Sequence, residues 1–331
     1  MTAVTPVDVV HNEHPMLRRA WHPVAYSSEV GAEPFPVRLL GEYWVLARLP
    51  ELVAFVDRCP HRAAPLSAGA VVDGQLRCGY HGWEFAANGA CARVPALGAD
   101  GRIPSGFALD LPFAVEERFG LVWMALEEPI APMLRIPEYA DATAVLELAP
   151  KRTAVNAAAL TDNFLDVTHF PFLHATTFGT PDMAEVVEYR TERDGWMIAF
   201  EQEGKAADAD GSVSIRRSRY ECTAPFALRL WMHWPGTPRW DTILFFAQPE
   251  AHDSTRMYKV VVLGGTERSA EELAKLAAFE VDILEEDLRM LERLRDDWLP
   301  LRADAELHTR ADRGGLAWRR MLADLATEVG T

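Results

Sequence analysis

Two rhythms of apolar and polar positions divide the chain. From residue 21 onward, short apolar runs at 21–26, 36–40, 43–49 and 52–56 are cut by glycine and proline, and a further run follows at 120–126. Runs this short, bounded by turn residues, predict strands of a small antiparallel β-domain. Within 69–76 the pair Asp73-Gly74 predicts a hairpin turn, because both residue types accept a left-handed backbone. Pro129, Pro132 and Pro137 can continue neither a strand nor a helix interior, so a domain boundary is expected between 127 and 137.

The second half has longer elements. The stretch 156–174, NAAALTDNFLDVTHFPFLH, has helical character up to His169, with Asn163, Asp166 and His169 at three-residue steps along one face. Pro171 would cost about 3 kcal/mol in a helix interior, so the helix should end or bend near His169 and bring His174 in from the following turn. Alternating runs at 196–201, 212–222, 226–234, 242–248 and 256–263 predict a twisted antiparallel sheet. On the third run Phe226, Leu228, Leu230, Met232 and Trp234 share the natural core face. Arg229, Trp231 and His233 share the other, which could line a pocket, supply a ligand or face solvent. A helix is predicted over 269–298, capped by Ser269, with an apolar stripe of Leu273, Ala277, Leu284, Leu288, Leu291, Leu294 and Trp298. The tail, 307–325, reads by itself as a solvated amphipathic helix starting at Gly315 and carrying Arg319 and Arg320. The expected class is α+β.

With 331 residues and 49% hydrophobic composition the chain can bury two cores. A formal charge of -16 argues against nucleic acid or anionic membrane as a partner. No eighteen-residue apolar run occurs, and residues 1–15 lack a basic start followed by an apolar core, so a cytoplasmic location is expected. His11 and His14 read as solvated. Among four cysteines, Cys91 and Cys222 lack a paired framework and read as small buried apolar residues. No G-x-G-x-x-G opens a helix after a strand, so electrons for any redox chemistry must arrive from a separate protein.

Redox chemistry is at issue because of two cysteine–histidine pairs, Cys59-Pro60-His61 and Cys78-Gly79-Tyr80-His81. Four such ligands could wrap one zinc, or the two thiolates and two imidazoles could each hold one iron of a [2Fe–2S] cluster. The single residue between Cys59 and His61, and glycines at 79 and 82 that permit close backbone approach, favour the cluster. Further on, His169 and His174 with Asp166 one turn earlier form a partial second metal site; two histidines and one carboxylate suit a mononuclear Fe(II) with open positions. On the wheel of the 269–298 helix, Asp282, Glu285 and Glu286 point away from the apolar stripe, whereas Glu280 and Asp287 fall within it. A carboxylate turned toward a core is neutralised, paired or bound to metal, which leaves Asp287 and Glu280 as candidate third ligands.

The segment Cys59-Pro60-His61-Arg62-Ala63-Ala64-Pro65-Leu66-Ser67-Ala68-Gly69, followed by Leu76-Arg77-Cys78-Gly79-Tyr80-His81-Gly82-Trp83-Glu84-Phe85, resembles the cluster-binding signature of the Rieske non-haem iron oxygenases. Asp162-Asn163-Phe164-Leu165-Asp166-Val167-Thr168-His169 with Phe170-Pro171-Phe172-Leu173-His174 resembles the mononuclear-iron motif of that family, and 285–292 resembles the segment carrying its third ligand, matched on Asp287. The resemblance implies a Rieske domain over 20–130, a helix-grip (START-like) catalytic domain over 131–331, and 1–19 as an extension. It implies Cys59, His61, Cys78 and His81 on the cluster, His169, His174 and Asp287 on iron, and Asn163 and Asp166 as catalytic, with Asp166 bridging His169 to His81 of a neighbouring subunit in a homotrimer. The implied activity is that of a terminal oxygenase component, fed by an NAD(P)H-dependent reductase with or without a ferredoxin. It would use O2 to hydroxylate or demethylate an aromatic or heterocyclic molecule, with cis-dihydroxylation as the alternative. An electron carrier, or a ligand-binding redox sensor, would need the cluster but not His169, His174 and Asp287.

Overall fold

The computed structural model describes residues 9–98, 101–180, 182, 184–296 and 298–329. Its contacts group the chain into two units, Arg18–Ile130 on one hand and Met1–Leu17 with Ala131–Thr331 on the other.

The unit Arg18–Ile130 is built from three small antiparallel sheets. Phe35–Leu39, Glu42–Leu49 and Glu51–Val56 form one; His22–Tyr26, Leu121–Ala125 and Ala114–Arg118 form another. The third joins Ala70–Val72, Gln75–Arg77, Glu84–Phe85 and Cys91–Arg93. Asp73 and Gly74, at φ 50° and 73°, make the left-handed turn of its first hairpin. Phe55, Leu66, Leu76 and Phe85 are wholly buried beneath these sheets, and the two cysteine-bearing loops rest on that core.

The second unit centres on an antiparallel sheet. Its strands run in the order Ala144–Glu147, Ser254–Gly264, Trp240–Ala251, Ala227–His233, Val213–Thr223, Met197–Ala207 and Thr191–Asp194, and Lys151–Thr153 also pairs with Ser254–Gly264. Helices α1 (Ala157–Leu165), α2 (Phe170–Leu173), α3 (Ala270–Leu291) and α4 (Arg313–Val329) complete the unit. Phe164 of α1 stacks on Phe245, and the Trp318 indole of α4 donates to the Pro225 carbonyl at 2.9 Å. The register places Tyr220, Leu230 and Ile243 side by side on one face of the sheet. On the opposite face Arg229 pairs with Glu138 and Glu221, and Trp231 stacks flat against His233. The mixed face is therefore ion-paired, and among the described residues none of its side chains joins the metal-ligand group.

Three helices differ from the sequence expectation. Asn156 caps α1 by accepting from the Ala158 amide at 2.7 Å, but α1 ends at Leu165, four residues before His169. Asp166 turns extended because its carboxylate takes the Thr168 amide (2.7 Å) and hydroxyl (2.6 Å), a local competitor of the helix. Pro171 then sits in the first turn of α2, where its missing N–H costs nothing. Helix α3 opens with the expected Ser269 capping box but stops at Leu291, because Leu299–Pro300 is drawn into a strand with Val9–Val10. Leu294 and Trp298 are consequently exposed rather than part of a buried stripe. Helix α4 is no solvated tail: Trp318, Met321, Leu322 and Leu325 are wholly buried, and Arg319 pairs with Asp162 and Glu306.

Candidate active site

In the smaller unit two loops close as short fingers. The Ala63 amide donates to the Cys59 carbonyl (2.9 Å) and the Cys59 amide to that of Ala64 (2.8 Å); in the second loop Gly82 donates to Cys78 (3.0 Å) and Cys78 to Trp83 (2.8 Å). Cys59 and Cys78 are buried while His61 and His81 are exposed, their rings 4.5 Å apart. Trp83 stacks on His61 at 4.7 Å and fixes that ring's orientation. A Cβ at Gly79 would lie 2.6 Å from the Ala68 carbonyl oxygen, so only glycine lets the fingers approach this closely. Burial pushes the Cys59 thiol up, and the adjacent Cys78 thiol adds to it. Two buried thiols side by side, with two imidazoles at an exposed tip, suit a cationic centre bridging the fingers.

Gly79→Ala is therefore expected to force the fingers apart at a cost of about 1–3 kcal/mol. Acid-labile sulfide per chain should fall below that of the unaltered protein; unchanged sulfide would contradict the close-approach account.

In the larger unit His169, His174 and Asp287 offer ligand atoms that all lie within 4.8 Å of one another. The two imidazole Nε2 atoms face each other at 3.1 Å, and Asp287 Oδ1 stands 3.5 Å from that of His169 and 3.2 Å from that of His174. Three lone pairs converging on one point fit a single metal ion. Burial disfavours charge on His169, but the nearby carboxylates of Asp166 and Asp287 outweigh it and push its pKa up to about 9. Burial likewise favours the neutral Asp287 carboxyl, but bonds from His169 and His174 hold it far below the usual carboxylate range.

The surrounding side chains fix this group. Asn163 donates its amide to Asp287 Oδ1 at 2.9 Å. Asp166 Oδ2 lies 3.6 Å from His169 Nδ1 and remains partly exposed. Glu286, expected to face away from the core, is instead 3% exposed; its carboxylate receives His174 Nδ1 at 2.7 Å and the hydroxyls of Thr176 and Thr177. A proton held on Nδ1 leaves the Nε2 lone pair of His174 directed at His169 and Asp287. Glu280, the alternative third ligand, is not in this group: it pairs with Lys259 at 2.6 Å, both buried. Wheel geometry missed Glu286 because α3 is enclosed on more than one side. The one available signal was the run Glu285-Glu286-Asp287, three successive acids on a helix with a core face.

Glu286→Ala should leave the His174 ring without its anchor and weaken metal binding about 10–100-fold. Anaerobic Fe(II) titration would register this, and an affinity within a factor of two of the unaltered protein would contradict the role.

His169, His174, Asp287 and Asn163 also form part of the wall of a cavity of about 390 Å³, bounded by α1, α3 and the inner face of the sheet. Phe164, Phe170, Phe178, Leu230 and Ile243 give it a largely apolar lining. An apolar chamber open to three converging ligands, in a chain that also carries two cysteine–histidine fingers, defines an iron-dependent oxygenase.

Comparisons with known proteins give the family. Residues 20–111 match the Rieske [2Fe-2S] domain, and residues 153–328 match the vanillate O-demethylase oxygenase C-terminal domain. The chain is 34% identical to the methylxanthine N1-demethylase NdmA of Pseudomonas putida over 67% of this chain and 66% of that protein. It is 30% identical to the N3-demethylase NdmB of the same organism over 83% of this chain and 81% of that one. The structure of NdmA with caffeine, from Pseudomonas putida CBB5, superimposes with a TM-score of 0.85 at 28% identity, covering 96% of this chain and 93% of the other. The chain belongs to the vanillate O-demethylase branch of the Rieske oxygenases and is a terminal oxygenase component. Its cofactors are a Rieske [2Fe–2S] cluster and a mononuclear iron, and the zinc reading of the cysteine–histidine pairs falls away. Components of this type work with reductase and ferredoxin partners and act on small molecules.

Proposed function

We propose that the chain hydroxylates or oxidatively demethylates an aromatic or heterocyclic small molecule held in the cavity beside His169, His174 and Asp287. The observation that carries this reading is the shared wall: the same cavity that offers apolar faces for a flat molecule includes the three converging ligand atoms. Cys59, Cys78, His61 and His81 would hold the cluster, and His169, His174 and Asp287 the mononuclear iron. Iron bound there supplies one-electron reductive activation of O2. The chain's own side chains do the rest. Asn163 and Glu286 hold Asp287 and His174 in register, Asp166 places its charge 3.6 Å from His169, and Phe164, Phe170 and Phe178 exclude water.

The relatives named for demethylation, NdmA and NdmB, favour monooxygenation at a methyl group over ring dihydroxylation. Electrons would come from an NAD(P)H-dependent reductase, directly or through a ferredoxin, in the cytoplasm. A homotrimer would let the cluster of one subunit serve the iron of the next, with Asp166 between His169 and a neighbour's His81. Among the described residues no helix is long and apolar enough to cross a membrane. To test the reading, reduced, iron-loaded protein is exposed to O2 with a panel of methoxylated aromatics and N-methylated heterocycles. Formaldehyde approaching one equivalent per reduced chain from at least one compound is expected. A reduced cluster that stays reduced in air, with no product from any compound, would contradict it.

A further inference from the structure

The cavity is apolar near the metal ligands but not at its far end, where charged and polar side chains of both signs line it. Four residues of two neighbouring strands, Gln202 and Gly204 on Met197–Ala207 and Arg216 and Ser218 on Val213–Thr223, line it together. Gln202 lies directly opposite Ser218 and Gly204 directly opposite Arg216 in the antiparallel register, so all four share the inner face. The Gln202 amide nitrogen is buried with no hydrogen-bond partner. Arg216 spends one N–H on the Ala207 carbonyl (2.8 Å) and another on the Met232 sulfur (3.6 Å), which leaves three of its five. Among the described residues it has no carboxylate within 4 Å. Of the other cations on the wall, Lys259 is matched by Glu280, and the exposed Lys205 lies 3.9 Å from Asp182. Opposite Arg216, Gly204 is exposed and a Cβ on it would meet nothing within 4 Å, so open space lies on that side of the guanidinium.

Donors without acceptors, next to room for a group, describe the complement of an oxyanion. We propose that Gln202, Arg216 and Ser218 form an anion subsite that receives a carboxylate-sized oxyanion on the substrate, with Gly204 providing the space. The inference rests on the oxygenase reading above and narrows it to aromatic acids. Burial works against the Arg216 charge, and a bound anion would offset that penalty. Asp182, Glu185 and Glu203, also on the wall, are exposed to solvent that screens them, whereas Arg216 is part-buried and screened less.

The test is direct binding to the iron-loaded protein by calorimetry, using biphenyl-4-carboxylate and benzoate, each against its primary amide of the same shape. Expected is at least a tenfold preference for at least one acid over its amide. Arg216→Met should abolish the preference. Gly204→Val, which fills the space opposite Arg216 without backbone strain, should weaken the preferred acid at least tenfold and provides a second reading if Arg216→Met fails to fold. Equal affinity for acid and amide in the unaltered protein, or a preference that survives Arg216→Met, would overturn the subsite. Iron and sulfide content, read on the same samples, report separately on the oxygenase assignment, so the two failures are distinguishable.

Discussion

Asp287→Ala is expected to lose one iron per chain, keep the cluster, and cut product formation to below about one-thousandth of the unaltered rate. Asp287 is the sole carboxylate of the converging group, and Asn163 is held against it at 2.9 Å. Removing it leaves two imidazoles 3.1 Å apart with no anionic partner for a divalent ion, and Glu280 is committed elsewhere to Lys259. Metal analysis and cluster EPR on one preparation check this. Retention of all iron would shift the third ligand to another residue. Loss of the cluster signal as well would mean that the substitution had damaged more than the site.

The second large effect concerns stability. Lys259 and Glu280 face each other at 2.6 Å on the cavity wall, with side chains 7% and 6% exposed. The Lys259 ammonium also donates to the Glu280 carbonyl at 2.9 Å, tying α3 to the strand Ser254–Gly264. Lys259→Met would strand a buried carboxylate, and breaking such a pair costs about 3–5 kcal/mol. A double variant, Lys259→Met with Glu280→Leu, removes both charges and should recover most of that loss. Denaturant midpoints followed by circular dichroism compare the three proteins. A single variant as stable as the parent, or a double variant no better than the single, would show that the pair contributes little.

How much of this was legible in the sequence depended on how local each signal was. The cysteine–histidine pairs and the Asp73-Gly74 turn are each set by a few consecutive residues; the turn appears as expected, and the two pairs lie on neighbouring loops with their histidine rings 4.5 Å apart. The sheet strands showed as runs of strand-forming residues; burial alternates along Val213–Thr223, whereas Trp240–Ala251 and Ser254–Gly264 are buried on both faces. The end of α1 was misread because the competitor of the helix is a side chain, Asp166 reaching Thr168, that periodicity does not register. The end of α3 was misread because Leu299–Pro300 pairs with Val9–Val10, almost the full length of the chain away. Glu286 and Arg319 were taken for surface residues because their partners, His174 and Asp162, come from a distant segment. A helical wheel knows only one inside, whereas α3 has Asp287 and Glu286 in adjacent positions, each turned to a different set of partners.

The central claim is that one chain carries both a Rieske cluster and a mononuclear iron. Iron and acid-labile sulfide per chain, with EPR of the dithionite-reduced protein after anaerobic Fe(II) loading and removal of excess, test it most directly. The account predicts about three irons, about two sulfides and a Rieske-type signal. Two irons with the same signal would contradict the second site and return the chain to an electron carrier or sensor, and zinc without sulfide would contradict the account as a whole.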